Sequence, residues 1–132
     1  MPNNDSTIID SVNTRRIARI VVPLAMAAAS LVSLSTLAKA NGGEVWLFIY
    51  PWPAQLKYES RVFDWEKFAA DLCTAMACQG VIDTFPALRA VAASDADWYS
   101  DLFVFGDSHY NKFGNEILAG QLLSTWPSGA VK

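Results

Sequence analysis

Six apolar residues run without interruption from Val45 to Tyr50, in the order Val-Trp-Leu-Phe-Ile-Tyr. Continuous rather than alternating apolarity predicts a strand buried on both faces, as in a parallel sheet covered by helices. Pro51 and Pro53 end it, because proline cannot donate to a ladder. Asp64 then predicts an N-cap, followed by a helix with Trp65, Phe68, Ala69, Leu72, Cys73 and Met76 on one face. Gly80 is read as the break of that helix and Phe85-Pro86 as the start of a new segment. A short helix over Ala87–Ala93 and a polar loop over Ser94–Ser100 follow. Leu102-Phe103-Val104-Phe105 reads as a second short buried strand, Gly106–Gly114 as a loop, and Asn115–Thr125 as a helix. Ile117, Leu118 and Leu122 of that last helix, with Gln121 beside them, turn towards the body. Strand, helices, strand, loop, helix is an α/β order, for which a parallel sheet with helices on its faces is the natural architecture. Two strands leave sheet edges wanting neighbours, so the pattern reads as part of a sheet.

The first third is patterned differently. Met1–Asn13 is polar and aperiodic; Arg15, Arg16 and Arg19 follow, then a run from Ile20 to Leu34 dominated by apolar residues, then Ala38-Lys39-Ala40. Basic flank, apolar stretch and A-x-A triplet are the three parts of a secretory signal peptide. The run is short for a bilayer span, which takes roughly 20 residues. A second reading is an ordinary helix of the domain, ending at Asn41-Gly42-Gly43, whose glycines suit a left-handed C-cap. A third is an extension from a misplaced start codon. The expected organisation is therefore a polar arm plus apolar helix over 1–40, either signal or anchor, and a folded portion over 41–132. The location is periplasmic or secreted on the signal reading and cytoplasmic otherwise. Membrane contact is expected only through this N-terminal segment.

Composition narrows the picture. The chain has 132 residues, 52% hydrophobic and 17% charged, which suits one domain with a core and excludes disorder. The net charge is −3 and the C-terminal two thirds hold no basic block, so no nucleic-acid partner is expected. One histidine and two cysteines are too few for a metal cluster. Cys73 and Cys78 can bridge only if a helix end falls between them, which Gly80 could supply; two small buried thiols are the alternative.

The chemistry concentrates in Gly106-Asp107-Ser108-His109-Tyr110-Asn111-Lys112-Phe113-Gly114-Asn115. Read as lying between a strand end and a helix start, it falls where open α/β sheets gather reactive groups. A carboxylate two residues before a histidine can hold one ring nitrogen while the other faces a substrate: Asp107 orients and His109 takes a proton from a hydroxyl. Without further context, the same residues describe a helix-capping Asp and a surface His.

Asp107-Ser108-His109-Tyr110-Asn111 with Gly114 resembles the last block of SGNH (GDSL-like) hydrolases, in which an Asp and a His close the catalytic triad. The common spacing there is D-x-x-H; the D-x-H of this chain is similar to related branches that include sugar O-acetylation proteins. Tyr50-Pro51-Trp52-Pro53-Ala54-Gln55-Leu56, the Trp65…Phe68…Cys73…Cys78 region and Asp83-Thr84-Phe85-Pro86 resemble one bacterial branch of the family. The likeness covers about two thirds of the chain, from Gly43 to Trp126. It implies a partial three-layer α/β/α, flavodoxin-like parallel sheet, with Asp107 and His109 catalytic and with Asn111 and Gly114 shaping the loop and helix start. It also implies an ester or acylated-glycan substrate for the completed enzyme, and no metal or organic cofactor. The family's nucleophilic serine, in a G-D-S setting after a first strand, has no counterpart here. Ser6, Ser11, Ser30, Ser33 and Ser35 lack that setting, and the Gly and Asn of the oxyanion hole are not found. The expected activity is thus that of the C-terminal part of a serine ester hydrolase or acyltransferase, inactive alone, with a partner chain left open as the source of the rest.

Two rivals stand beside it, besides a truncated or frame-shifted remnant with no function of its own. Phe103–Ser108 also resembles the family's first block, with Ser108 as nucleophile, but His109 adjoins it in sequence and few residues follow. The other is a small exported binding or structural protein of the cell envelope, with Trp46, Trp52, Trp65 and Trp98 as an aromatic platform. Asp95, Asp97 and Asp101 form a loose acidic cluster that reads as a solvated turn, and Gln55 and Lys57 could line a cleft.

Overall fold

The computed structural model describes residues 25–58 and 63–126, and the chain divides into two units, Met1–Gly43 and Glu44–Lys132. In the first unit, residues 25–40 form helix α1. It ends as the glycines predict. Gly43 N–H reaches back to the Ala38 carbonyl (2.9 Å) and Gly42 N–H to that of Lys39 (2.9 Å), with Gly42 left-handed at φ +76°. This is the paired Schellman arrangement, reinforced by Asn41 Nδ2 on the Leu37 carbonyl (2.8 Å). The polar arm, the arginines and the start of the apolar run lie outside the described residues. Among the described residues, no helix is long and apolar enough to cross a membrane.

The second unit is mixed α/β. Its elements are β1 (Trp46–Ile49), α2 (Pro53–Tyr58), α3 (Trp65–Met76), β2 (Gly80–Asp83), α4 (Phe85–Ser94), α5 (Trp98–Leu102) and α6 (Lys112–Thr125). β1 and β2 pair in parallel, Trp46 opposite Gly80 through Ile49 opposite Asp83. Parallel strands need a long crossover, and α2 with α3 supplies it. The strand expected at Val45–Tyr50 is present, but all four residues of β1 are half-buried rather than buried on both faces.

The second strand is not where it was expected. Leu102 closes α5, Phe103 makes a single antiparallel bridge to Tyr110, and Val104 and Phe105 are exposed. The partner of β1 is Gly80–Asp83, whose glycine reads in the sequence as a helix break. A Cβ at Gly80 would stand 2.8 Å from the Trp46 ring, so the missing side chain lets that indole lie across the strand. The loop expected over Ser94–Ser100 likewise contains the start of α5, and α6 begins three residues before Asn115, with Asn111 as its N-cap.

α3 starts as predicted, with Asp64 Oδ1 accepting from Lys67 N (2.8 Å), and it buries Ala69, Leu72 and Met76. Its end falls at Ala77, left-handed at φ +46°, rather than at Gly80. That reversal carries Cys78 back over Cys73, with Cα atoms 5.0 Å apart, and the two form a disulfide. On an uninterrupted helix, residues five apart are too distant and diverge too far to bridge. Beyond β2, Thr84 is fully buried and its hydroxyl donates to the Ile49 carbonyl (2.9 Å), sealing the β2–α4 turn onto the end of β1. Asp83 Oδ1 accepts from Phe85 N (2.9 Å); burial pushes its carboxyl up, against the pull of that hydrogen bond. Arg89 grips Glu66 through two 2.8 Å bonds, tying α4 to α3.

One apolar cluster lies beneath the chemistry-bearing loop. Leu56, Leu88, Leu102 and Phe103 are buried together, and Val91, Trp98, Tyr99, Tyr110, Ile117 and Leu118 pack around them. Of the α6 residues expected to face the body, Ile117 and Leu118 belong to this set, whereas Leu122 is exposed.

Candidate functional site

The loop from Phe103 to Asn111 is tied at its base and turned at its tip. Phe103 bridges Tyr110, Asn111 N donates to the Leu102 carbonyl (2.9 Å), and Val104 N donates to that of His109 (2.9 Å). At the tip, Asp107 N donates to the Val104 carbonyl (3.0 Å), with Gly106 at φ +75°. An i→i+3 bond with a left-handed third residue is the pattern of a type II turn, which explains the glycine. Asn111 works twice. Its Oδ1 caps α6 at Gly114 N (3.0 Å), while its Nδ2 holds the carbonyls of Ser100 (3.0 Å) and Asp101 (2.8 Å) at the end of α5.

On this frame Asp107 and His109 meet. Asp107 Oδ1 lies 2.8 Å from His109 Nδ1 and also accepts from Ser108 N (2.6 Å). The His109 hydrogen bond first, and the Ser108 N–H second, hold the Asp107 carboxyl below its ordinary range. Bonding to the carboxylate assigns the proton of the neutral ring to Nδ1, leaving Nε2 as the acceptor. The side chains are 83% exposed for His109 and 49% for Asp107, so the pair sits in water, where its Coulomb attraction is weak. Its geometry therefore depends on how the backbone is held.

His109 borders a cleft of about 430 Å³ lined also by Tyr50, Trp52, Ser108, Tyr110, Asn115 and Leu118. Tyr50 and Trp52 come from the carboxyl end of β1, as expected for a parallel sheet. Tyr110 Oη donates to the Pro51 carbonyl, joining the β1 end to the loop, and burial raises its pKa well above the ordinary phenol value. Ser108 lines the same cleft, but its hydroxyl makes no hydrogen bond to His109.

Other residues singled out in the sequence are placed elsewhere. Gln55 Oε1 accepts from Trp52 N (2.6 Å) and so starts α2, and Lys57 lies over the Tyr58 ring. The four tryptophans form no common platform. Trp46 packs near Trp126, Trp65 between Phe63 and Phe68, and Trp98 on Tyr99 and Phe103, while Trp52 alone of the four reaches the cleft. Asp95 Oδ1 caps the turn at Asp97 N (2.8 Å), and among the described residues no group of three His, Cys, Asp or Glu side chains is placed to hold a metal ion. Sequence reading did not single out Tyr99, whose hydroxyl donates to the Asp107 carbonyl (2.7 Å), nor the Tyr110 tie. No local pattern announces a phenol bound to a carbonyl 8 or 59 residues away.

Comparison with known protein families, with curated proteins and with solved structures finds no match to this chain.

Proposed function

We propose that the Glu44–Trp126 region is the C-terminal part of an SGNH-type serine ester hydrolase or acyltransferase, contributing the orienter and base of a triad. On this reading its two-stranded parallel sheet is one portion of a three-layer, flavodoxin-like sheet. The observation that carries it is the Asp107 Oδ1–His109 Nδ1 contact at 2.8 Å beside the cleft at the end of β1. A serine hydroxyl brought to His109 Nε2 would lose its proton there and attack the acyl carbonyl. The protonated ring would then return the proton to the departing alcohol, stabilised as an imidazolium by Asp107. Water would repeat the two steps on the acyl-enzyme, or a second alcohol would take the acyl group. The exposure of His109 fits a half-site, because a working one excludes water from this pair.

The Cys73–Cys78 disulfide supports an oxidising, exported setting, since such bridges are rare in a reducing cytosol. The exposed Tyr50, Trp52 and Phe105 favour, as the second reading, an envelope-binding role for the same exported unit. Kinetics separates the two from an intact enzyme. The purified chain is expected to cleave an aryl acetate no faster than the same concentration of free imidazole. Turnover well above that level, abolished by His109→Ala, would contradict a half-site.

A further inference from the structure

The geometry points to Tyr99 as a positioning residue that aligns Asp107 on His109, an inference that rests on the orienter–base reading of that pair. Asp107 is fastened at both ends of its own backbone. Its N–H donates to the Val104 carbonyl (3.0 Å), and its carbonyl accepts from Tyr99 Oη (2.7 Å). With both peptide groups held, the side-chain torsions are the principal freedom left, and they lead the carboxylate to His109 Nδ1 (2.8 Å).

Tyr99 is itself well anchored. Its ring stacks on the buried Phe103 at 5.5 Å and 28°, and meets Trp98 edge-on at 6.0 Å. Its helix, α5, is pinned to the loop's other end through Asn111 Nδ2 on the Ser100 and Asp101 carbonyls. The hydroxyl therefore transmits the position of a packed helix to an exposed loop. For a solvent-exposed hydrogen bond this matters, because entropy readily dissolves a contact whose partners are free to move.

His109 is the only histidine, so its two ring nitrogens can be read without ambiguity. The test is the pair of imidazole ¹⁵N shifts of the folded chain, read on the alkaline plateau where they no longer change with pH. The Asp107 contact favours the Nδ1–H tautomer, whereas a free histidine in water favours Nε2–H. Tyr99→Phe keeps the stacked ring and deletes one hydrogen bond. It is expected to lower the Nδ1–H to Nε2–H ratio roughly fivefold, as suits the loss of one modest hydrogen bond, and Asp107→Ala to abolish the preference. An unchanged ratio in Tyr99→Phe, with Asp107→Ala still shifting it, would overturn the role of Tyr99 alone. A wild-type ring already in the Nε2–H form would overturn the orienter–base pair itself, and this inference with it.

Discussion

Gly114→Ala is expected to destabilise the Glu44–Trp126 region by about 3 kcal/mol, the upper part of the range for overpacking a close contact. In a unit of this size that corresponds to a fall of roughly 15 °C in the thermal midpoint. The first turn of α6 passes so near the end of α5 that a methyl at position 114 would clash with the Leu102 carbonyl and stand 2.6 Å from the Tyr110 ring. Neither neighbour can move freely. The Leu102 carbonyl accepts from Asn111 N, and Tyr110 is held by Pro51 and by the Phe103 ring at 4.5 Å. Gly120, in the same helix, has nothing within 4 Å of where its Cβ would lie. Gly120→Ala should therefore stabilise by about 0.5–1 kcal/mol, through helix propensity alone. Opposite signs from two Gly→Ala changes in one helix, read from denaturation midpoints, separate close packing from propensity. Equal effects would mean that α6 does not cross α5 where described.

Phe103→Ala is expected to cost about 3–5 kcal/mol, as for other buried phenylalanines. Phe103 is 1% exposed and its ring contacts Trp98, Tyr99 and Tyr110, the last two being the residues that tie the loop to α5 and to the end of β1. Two residues on, Phe105 is 92% exposed, and Phe105→Ala should change stability by no more than about 0.5 kcal/mol. Urea titrations of the two variants check the contrast. Comparable losses would restore the buried strand that the apolar run Leu102–Phe105 suggested.

That run shows where sequence patterning stops. Leu-Phe-Val-Phe has the composition of a buried strand, but whether four apolar residues lie in one environment depends on what packs on them. Here Leu102 and Phe103 face the core while Val104 and Phe105 ride out on a turn set by Gly106. β2 is hidden in the sequence for the converse reason. Val81 and Ile82 are only two apolar residues between a glycine and an aspartate, and the glycine serves an indole on the neighbouring strand. Elements whose signals are local were legible: the Val45–Tyr50 run, the Asp64 cap with its helical face, and the Gly42-Gly43 stop. The Asp107–His109 contact was legible as well, because two residues of spacing on one loop suffice to join them. The phenols that hold the pair act across the fold and leave no spacing to read.

The most direct test of a base without its nucleophile is to treat the folded chain with an alkyl fluorophosphonate and map any adduct by mass spectrometry. No serine adduct is expected, since no hydroxyl among the described residues is hydrogen-bonded to His109. An adduct on Ser108 that disappears in His109→Ala would contradict this, and would make the Asp107-Ser108-His109 loop a serine nucleophile site in its own right.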